Sequence, residues 1–222
     1  MTAAGLAREE TARHFSPLGM QVIDSFLNEA PVAAFNVQIE RFDGAQWQLT
    51  DLTPMRTPGG ILTLPGLGRR PVVLPGDPSV RYRLRIDSNH YIPSYRQHFD
   101  GLEFLVPPYN DTNPLTVPLP NMGLLSLDPS AAYVYPADVR VLRGIVTEID
   151  QKTPVRDATV VYAVGQVEAM TGADGYFALG LRRAPLTGQV AIDVHHYRTN
   201  RVRTVNVALP AALQTKQLIA LN

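Results

Sequence analysis

The sequence predicts an all-β protein of two tandem β-sandwiches, and three observations carry that expectation. Two strings recur in the same order. Ala30-Pro31-Val32-Ala33-Ala34-Phe35-Asn36-Val37 is echoed by Thr153-Pro154-Val155-Arg156-Asp157-Ala158-Thr159-Val160, and Ile86-Asp87-Ser88-Asn89-His90-Tyr91 by Ile192-Asp193-Val194-His195-His196-Tyr197. Apolar and polar residues alternate with the two-residue period of a half-buried strand. Turn residues separate these runs at the short spacing of an all-β fold. In a chain of 222 residues the repeat divides the molecule into two domains of roughly 100 residues each.

Taken in order, residues 1–17 are an N-terminal arm, 18–120 the first sandwich, 121–138 a proline-rich linker and 139–222 the second sandwich. Thr2 to His14 is polar and helix-forming but too short to be a stable helix alone; it reads either as a frayed tail or as an arm that orders on a partner, and the arm is the expectation. Phe35, Val37 and Ile39 face one way, and Asn36, Gln38 and Glu40 the other. Asp43-Gly44 makes a tight turn into Trp47 and Leu49. Val80, Tyr82, Leu84 and Ile86 form an apolar face backed by Arg81, Arg83, Arg85 and Asp87. The prolines and glycines of 65–78 exclude regular structure and imply a long loop. Leu115 to Leu119 is expected to close the first sandwich as an edge strand, where proline is tolerated.

The second half reads more regularly. Strands are expected at Val139–Ile149, Val160–Tyr162, Tyr176–Leu179, Val190–Val194, Val202–Leu209 and Gln217–Leu221. Gly144 marks a bulge or a close approach of backbone. Ala173-Asp174-Gly175 is a turn before Tyr176, and Gly59-Gly60 before Ile61 holds the equivalent place.

Composition narrows the function. Twenty basic residues cancel 20 acidic ones, and 18% of the chain is charged. That balance gives no electrostatic basis for a nucleic-acid or membrane-surface partner, and it favours a protein in contact with other protein. Cysteine is absent, which excludes disulfides, thiolate metal sites and thiol nucleophiles. The charged N-terminal stretch with Arg8, Glu9, Glu10 and Arg13 lacks the apolar core of a signal peptide, and no run is long enough to span a membrane. The expectation is a cytoplasmic protein.

In the second half, Gly144-Ile145-Val146, then Pro154 to Val160, then Thr171-Gly172-Ala173-Asp174-Gly175-Tyr176-Phe177, then Tyr197, resemble the carboxypeptidase regulatory-like family. That resemblance implies a transthyretin-like sandwich of seven strands in two small sheets, and a non-catalytic module. Pro31 to Ile39 and Tyr82 to Ile86 are similar to strands of the transthyretin and hydroxyisourate hydrolase group. The hydrolase histidines have no counterpart in Met20-Gln21-Val22-Ile23-Asp24 or in Leu115-Thr116-Val117-Pro118-Leu119-Pro120, and its closing Tyr-Arg-Gly-Ser tail is missing. The fold carries over and the hydrolase chemistry does not. Leu127-Asp128-Pro129-Ser130-Ala131-Ala132-Tyr133-Val134-Tyr135-Pro136, running into Arg143-Gly144, resembles a connector of regulatory-like proteins, some of them parts of contractile, phage-tail-like injection particles.

Histidines are the natural candidates for catalysis or metal binding. His195 and His196 are adjacent in a strand and point to opposite faces. His90 and His196 sit at equivalent positions of the repeated strings, which favours a structural role at a strand end. Asp174 is one carboxylate where calcium needs six to eight oxygens, so a turn-forming role is expected. Neither a Gly-Lys-Ser/Thr phosphate loop nor a Gly-x-Ser-x-Gly nucleophile elbow occurs. No cofactor or metal is expected.

Association is the remaining function. The contact candidates are Arg8 and Phe15 in the arm, Arg69 and Arg70 in the long loop, the row Arg81, Arg83 and Arg85, and Leu218, Ile219 and Leu221 in the uncharged final strand. The expectation is a non-enzymatic structural protein of a contractile injection particle, at its cap, baseplate or sheath. Its partners are protein subunits and further copies of itself. Two rivals make distinct forecasts. A hydrolase gathers His90, His98 and Arg83 or Arg85 in one pocket, and a carbohydrate- or surface-binding module exposes Tyr91, Tyr95, Tyr109 and Trp47 as a platform.

Overall fold

Strands dominate the regular structure of the computed structural model, which describes residues 16–115 and 123–222. Residues 19–129 supply two sheets. One has the order β4 (Met55–Arg56), β5 (Ile61–Thr63), β1 (Gly19–Asp24), β9 (Leu124–Pro129), β7 (Tyr91–Pro93). The other runs β3 (Trp47–Leu49), β2 (Asn36–Phe42), β6 (Val80–Asp87), β8 (Leu102–Val106). Residues 141–221 supply two more. The smaller has the order β13 (Tyr176–Gly180), β10 (Val141–Glu148), β16 (Gln217–Leu221), and the larger β12 (Val167–Met170), β11 (Thr159–Tyr162), β14 (Gly188–His196), β15 (Arg201–Leu209).

The two halves share one connectivity. In each, the first strand pairs antiparallel with one neighbour (β5 or β13) and parallel with the last strand (β9 or β16). The second strand lies between the third and the long strand β6 or β14, which continues to β8 or β15. The equivalence extends to single residues. Gln21 lies opposite Ile61 and Leu124, and Ile145 opposite Tyr176 and Leu218. Strands β4 and β7 are additions to the first half.

Apolar alternation explains the core. Met20, Val22, Ile39, Leu84 and Leu127 point inward in the first half, as do Leu142, Val146, Val160, Ile192 and Leu221 in the second. They belong to one apolar cluster that runs through both halves. Gly144 is the close approach expected of it, since a Cβ there would lie 2.5 Å from the Gln217 carbonyl oxygen and 2.6 Å from the Phe177 ring.

Several expectations are corrected. Residues 124–129, assigned to the linker, form β9, the central partner of β1. The edge strand expected over 115–119 falls almost wholly outside the described residues, and β9 closes the first half. Ser16 and Pro17, assigned to the arm, belong to the folded body: the Ser16 hydroxyl accepts the Leu64 amide at 2.8 Å and Pro17 is buried. The rest of the arm lies outside the described residues. The repeated strings are also offset. Asn36 lies opposite Asp87, whereas Thr159 lies opposite His195. Asp87 therefore corresponds to His195 and not to Asp193, so His90 and His196 are not equivalent. A two-residue offset keeps every side chain on its face, which is why the periodicity survives it.

Candidate functional site

The densest polar chemistry lies where the two halves meet. Asp24 ends β1 pointing into the core, completely buried. Its Oδ1 accepts the backbone N–H groups of Phe26 (2.8 Å) and Leu27 (3.0 Å), which forms a local turn. Its Oδ2 accepts the hydroxyls of Tyr91 (3.0 Å) and Tyr133 (2.6 Å). Four donors satisfy a carboxylate that pairs with no cation among the described residues. Burial, reinforced by the neighbouring Asp24, pushes the Tyr91 and Tyr133 hydroxyls well above the usual phenol range.

Tyr133 and Tyr135 carry the chain from β9 into the second half and join the two by packing. Tyr135 meets Phe26 edge-on at 4.8 Å and Tyr133 at 4.5 Å between ring centroids. Its hydroxyl donates to the Ala178 carbonyl on β13 at 2.7 Å. Gly180 makes this approach feasible: a Cβ there would lie 2.5 Å from the Tyr135 ring and 2.6 Å from the Phe26 ring. Arg182 stacks over Phe26 at 4.0 Å.

A second bond between the halves is ionic. Asp157 sits in a left-handed conformation (φ 58°) that aspartate tolerates better than most residues. Its loop is fixed by Thr171, whose buried hydroxyl donates to the Val155 carbonyl and accepts the Ala158 amide. Arg96, from the 3-10 turn Ser94–Gln97 of the first half, reaches this buried carboxylate at 3.0 Å, as does the adjacent Arg156. Arg198 lies 3.7 Å from Asp157 and 3.0 Å from Asp100 of the first half, and donates to the Arg96 carbonyl. The Arg198 hydrogen bond to Asp100 holds that carboxyl below the usual carboxylate range. Three arginines and two aspartates from both halves thus share one network.

Asp128 is the third element. It is fully buried, and among the described residues neither carboxylate oxygen has a hydrogen-bond partner. Burial, followed by the charges of Glu168 on β12 and Asp24, pushes its carboxyl up to about 7. The Ser25 hydroxyl beside it pulls the other way but does not make a full hydrogen bond. Two clefts flank this region. One of about 370 Å³ lies between the halves and is lined by Asp87, Asn89 and Arg96 on one side and Asp157, Thr171 and Asp174 on the other. A second, of about 470 Å³, is mainly apolar and is lined by Val32, Val134, Tyr133, Tyr135 and His90.

The residues expected from sequence to make contacts do not converge here. Arg8 and Phe15 lie outside the described residues. Arg69 is exposed and paired with Asp111 at 2.6 Å, and the Arg70 backbone N–H bonds the Tyr109 carbonyl. Arg81 pairs with Glu103, while Arg83 and Arg85 share Glu40 at 2.6 and 3.6 Å. Arg83 also covers Trp47 at 4.5 Å. Ile219 and Leu221 are core residues, so of the final-strand candidates Leu218 alone faces outward.

The rivals' groups are placed as follows. His90 donates to the Ala132 carbonyl, His98 lies against Tyr197, and the two arginines are held by Glu40; these groups share no partner. Tyr91, Tyr95 and Tyr109 are buried and cannot form a platform. Asp174 accepts the Tyr176 amide within its own turn. Among the described residues no group of three or more His, Cys, Asp or Glu is arranged to hold a metal ion, and no helix is long and apolar enough to cross a membrane. Comparison with family models, with curated proteins and with solved structures gives no match for this chain.

Proposed function

We propose that this chain is a non-catalytic assembly protein in which two transthyretin-like sandwiches act as one spacer between protein subunits. The observation that carries this reading is the interlocked junction. Asp157 of the second half is gripped by Arg96 of the first, and Gly180 admits Tyr135 and Phe26 against β13. A spacer depends on a fixed relation between its two ends, and a joint of this kind holds one. The shared connectivity, seven strands in two small sheets, supports the transthyretin-like assignment made from sequence.

The assembly is a contractile, phage-tail-like injection particle, at its cap, baseplate or sheath, with the chain repeated around it. What supports this finer reading is the sequence likeness of residues 127–136 to a connector of regulatory-like proteins, some of which are parts of such particles. Those same residues supply Asp128, Tyr133 and Tyr135 to the junction. The N-terminal arm makes contacts to neighbouring subunits, with the final strand exposing Leu218.

Electron microscopy of material purified through a C-terminal tag on the full chain tests this. The expected result is a regular multi-subunit particle containing the chain in fixed stoichiometry. A chain that lacks residues 1–15 but keeps Ser16 should fold and fail to enter the particle. A free monomer that hydrolyses a small molecule overturns the proposal.

A further inference from the structure

Alternation along β9 places Leu124, Ser126 and Asp128 on the outer face of its sheet. Leu124 is 59% exposed there, yet Asp128 is 0% exposed. The second half covers it. Strand β12 lies against β9, and its residues Glu168 and Met170 alternate away from the core positions Val167 and Ala169. Met170 is fully buried on that face. Asp128 is thus a carboxyl group on the outside of one sheet, deprived of water by the docking of the other half.

The groups around it leave its charge unmet. Strand β1 brings Asp24, whose oxygens are filled by the four donors described above. Strand β12 brings Glu168, and β7 brings Tyr91. The 3-10 turn brings Tyr95, whose hydroxyl oxygen accepts the Ile86 backbone N–H at 2.7 Å, and Arg96, which pairs with Asp157. Tyr133 and Tyr135 close the remaining side, bonded to Asp24 and the Ala178 carbonyl.

We propose that Asp128, facing Glu168, is a proton-controlled latch between the two halves: protonated, it lets them dock, and its ionisation loosens them. Separation returns Asp128 to an outer sheet face, where water solvates the carboxylate, so loss of the proton favours the separated form. The docked carboxyl titrates at about 7 and an exposed aspartyl at 3.8. The separation equilibrium therefore rises about tenfold per pH unit between these limits, about a thousandfold in all, and levels off above them. The inference does not depend on the assembly reading.

The chain has no cysteine, so Leu49→Cys and Leu186→Cys, both at exposed positions and one in each half, can carry spin labels on the full chain. The inter-label distance distribution should be narrow at pH 5 and become longer and broader at pH 8.5. With Asp128→Asn added it should stay narrow at both, and with Glu168→Gln the change should shrink. Identical distributions at the two pH values in the labelled parent overturn the latch. So does a change with Asp128→Asn as large as in the parent. Should Asp128→Asn fail to fold, a change with Glu168→Gln as large as in the parent overturns it equally.

Discussion

Gly60 and Gly175 hold the same place in the two halves of this chain. Each has a positive φ (82° and 74°), each precedes the strand antiparallel to the first, and each carbonyl accepts a first-strand amide, from Val22 and Val146 respectively. The correspondence between the halves thus extends from sheet order to a single turn.

The two glycines differ in how closely they are packed. A Cβ at Gly175 would lie 2.5 Å from the Val146 carbonyl oxygen, and one at Gly60 would lie 3.1 Å from that of Val22. Gly175→Ala should cost about 3 kcal/mol and Gly60→Ala about 1–2 kcal/mol, because the first adds a backbone clash to a strained φ. Urea denaturation of both variants checks the ranking.

Arg96→Ala should cost about 2–3 kcal/mol, since it strips a partner from the buried Asp157 and leaves Arg156 and Arg198 to hold it. Arg69→Ala breaks an exposed pair with Asp111 and should change stability by less than about 1 kcal/mol. Denaturation at low and high salt separates them further, because screening weakens only the exposed pair appreciably.

The Tyr133 hydroxyl makes the shorter of the two tyrosine bonds to Asp24, 2.6 against 3.0 Å. Tyr133→Phe should lose about 2 kcal/mol and Tyr91→Phe less, because each removes a donor from a buried carboxylate. The double variant should lose more than the sum, as Asp24 is then left with backbone donors alone. A double-mutant cycle in urea measures this.

Asp128 and Asp100 tilt stability with pH in opposite directions. The folded state raises the Asp128 carboxyl from 3.8 to about 7, so its contribution is complete below about pH 4 and is lost as pH rises through 7. Asp100 is lowered by its hydrogen bond to Arg198, so its contribution is present above the ordinary carboxylate range and lost on acidification. Asp128→Asn should flatten the decline between pH 5 and 8, as thermal unfolding across that range would show.

How much of this was legible in the sequence depended on how local the signal was. The hairpin at Asp43-Gly44 needed only neighbouring residues, and the Asp43 carboxylate does take the Ala45 and Gln46 amides. The long strand β6 stood out through alternation, and β14 and β15 as strand-forming runs bounded by turn residues. Strand β9 did not, because it pairs parallel with β1 about 100 residues away and ends in Asp128-Pro129, letters that read as a linker. Strand β12 carries Glu168 in a four-residue run. The junction was invisible for a further reason: Asp24, Arg96, Asp128, Asp157 and Glu168 are single polar residues on separate segments, and no periodicity announces a partner across halves. A polar residue at the outward end of an otherwise apolar strand was the one available hint.

The central claim is that the two halves act as one body at acidic to neutral pH. Differential scanning calorimetry of the unaltered full chain at pH 5 tests it most directly. The account predicts one transition whose calorimetric and van't Hoff enthalpies agree, splitting into two when Arg96→Ala and Asp157→Ala are combined. Two separate transitions in the unaltered chain, left unchanged by that pair of substitutions, would contradict it.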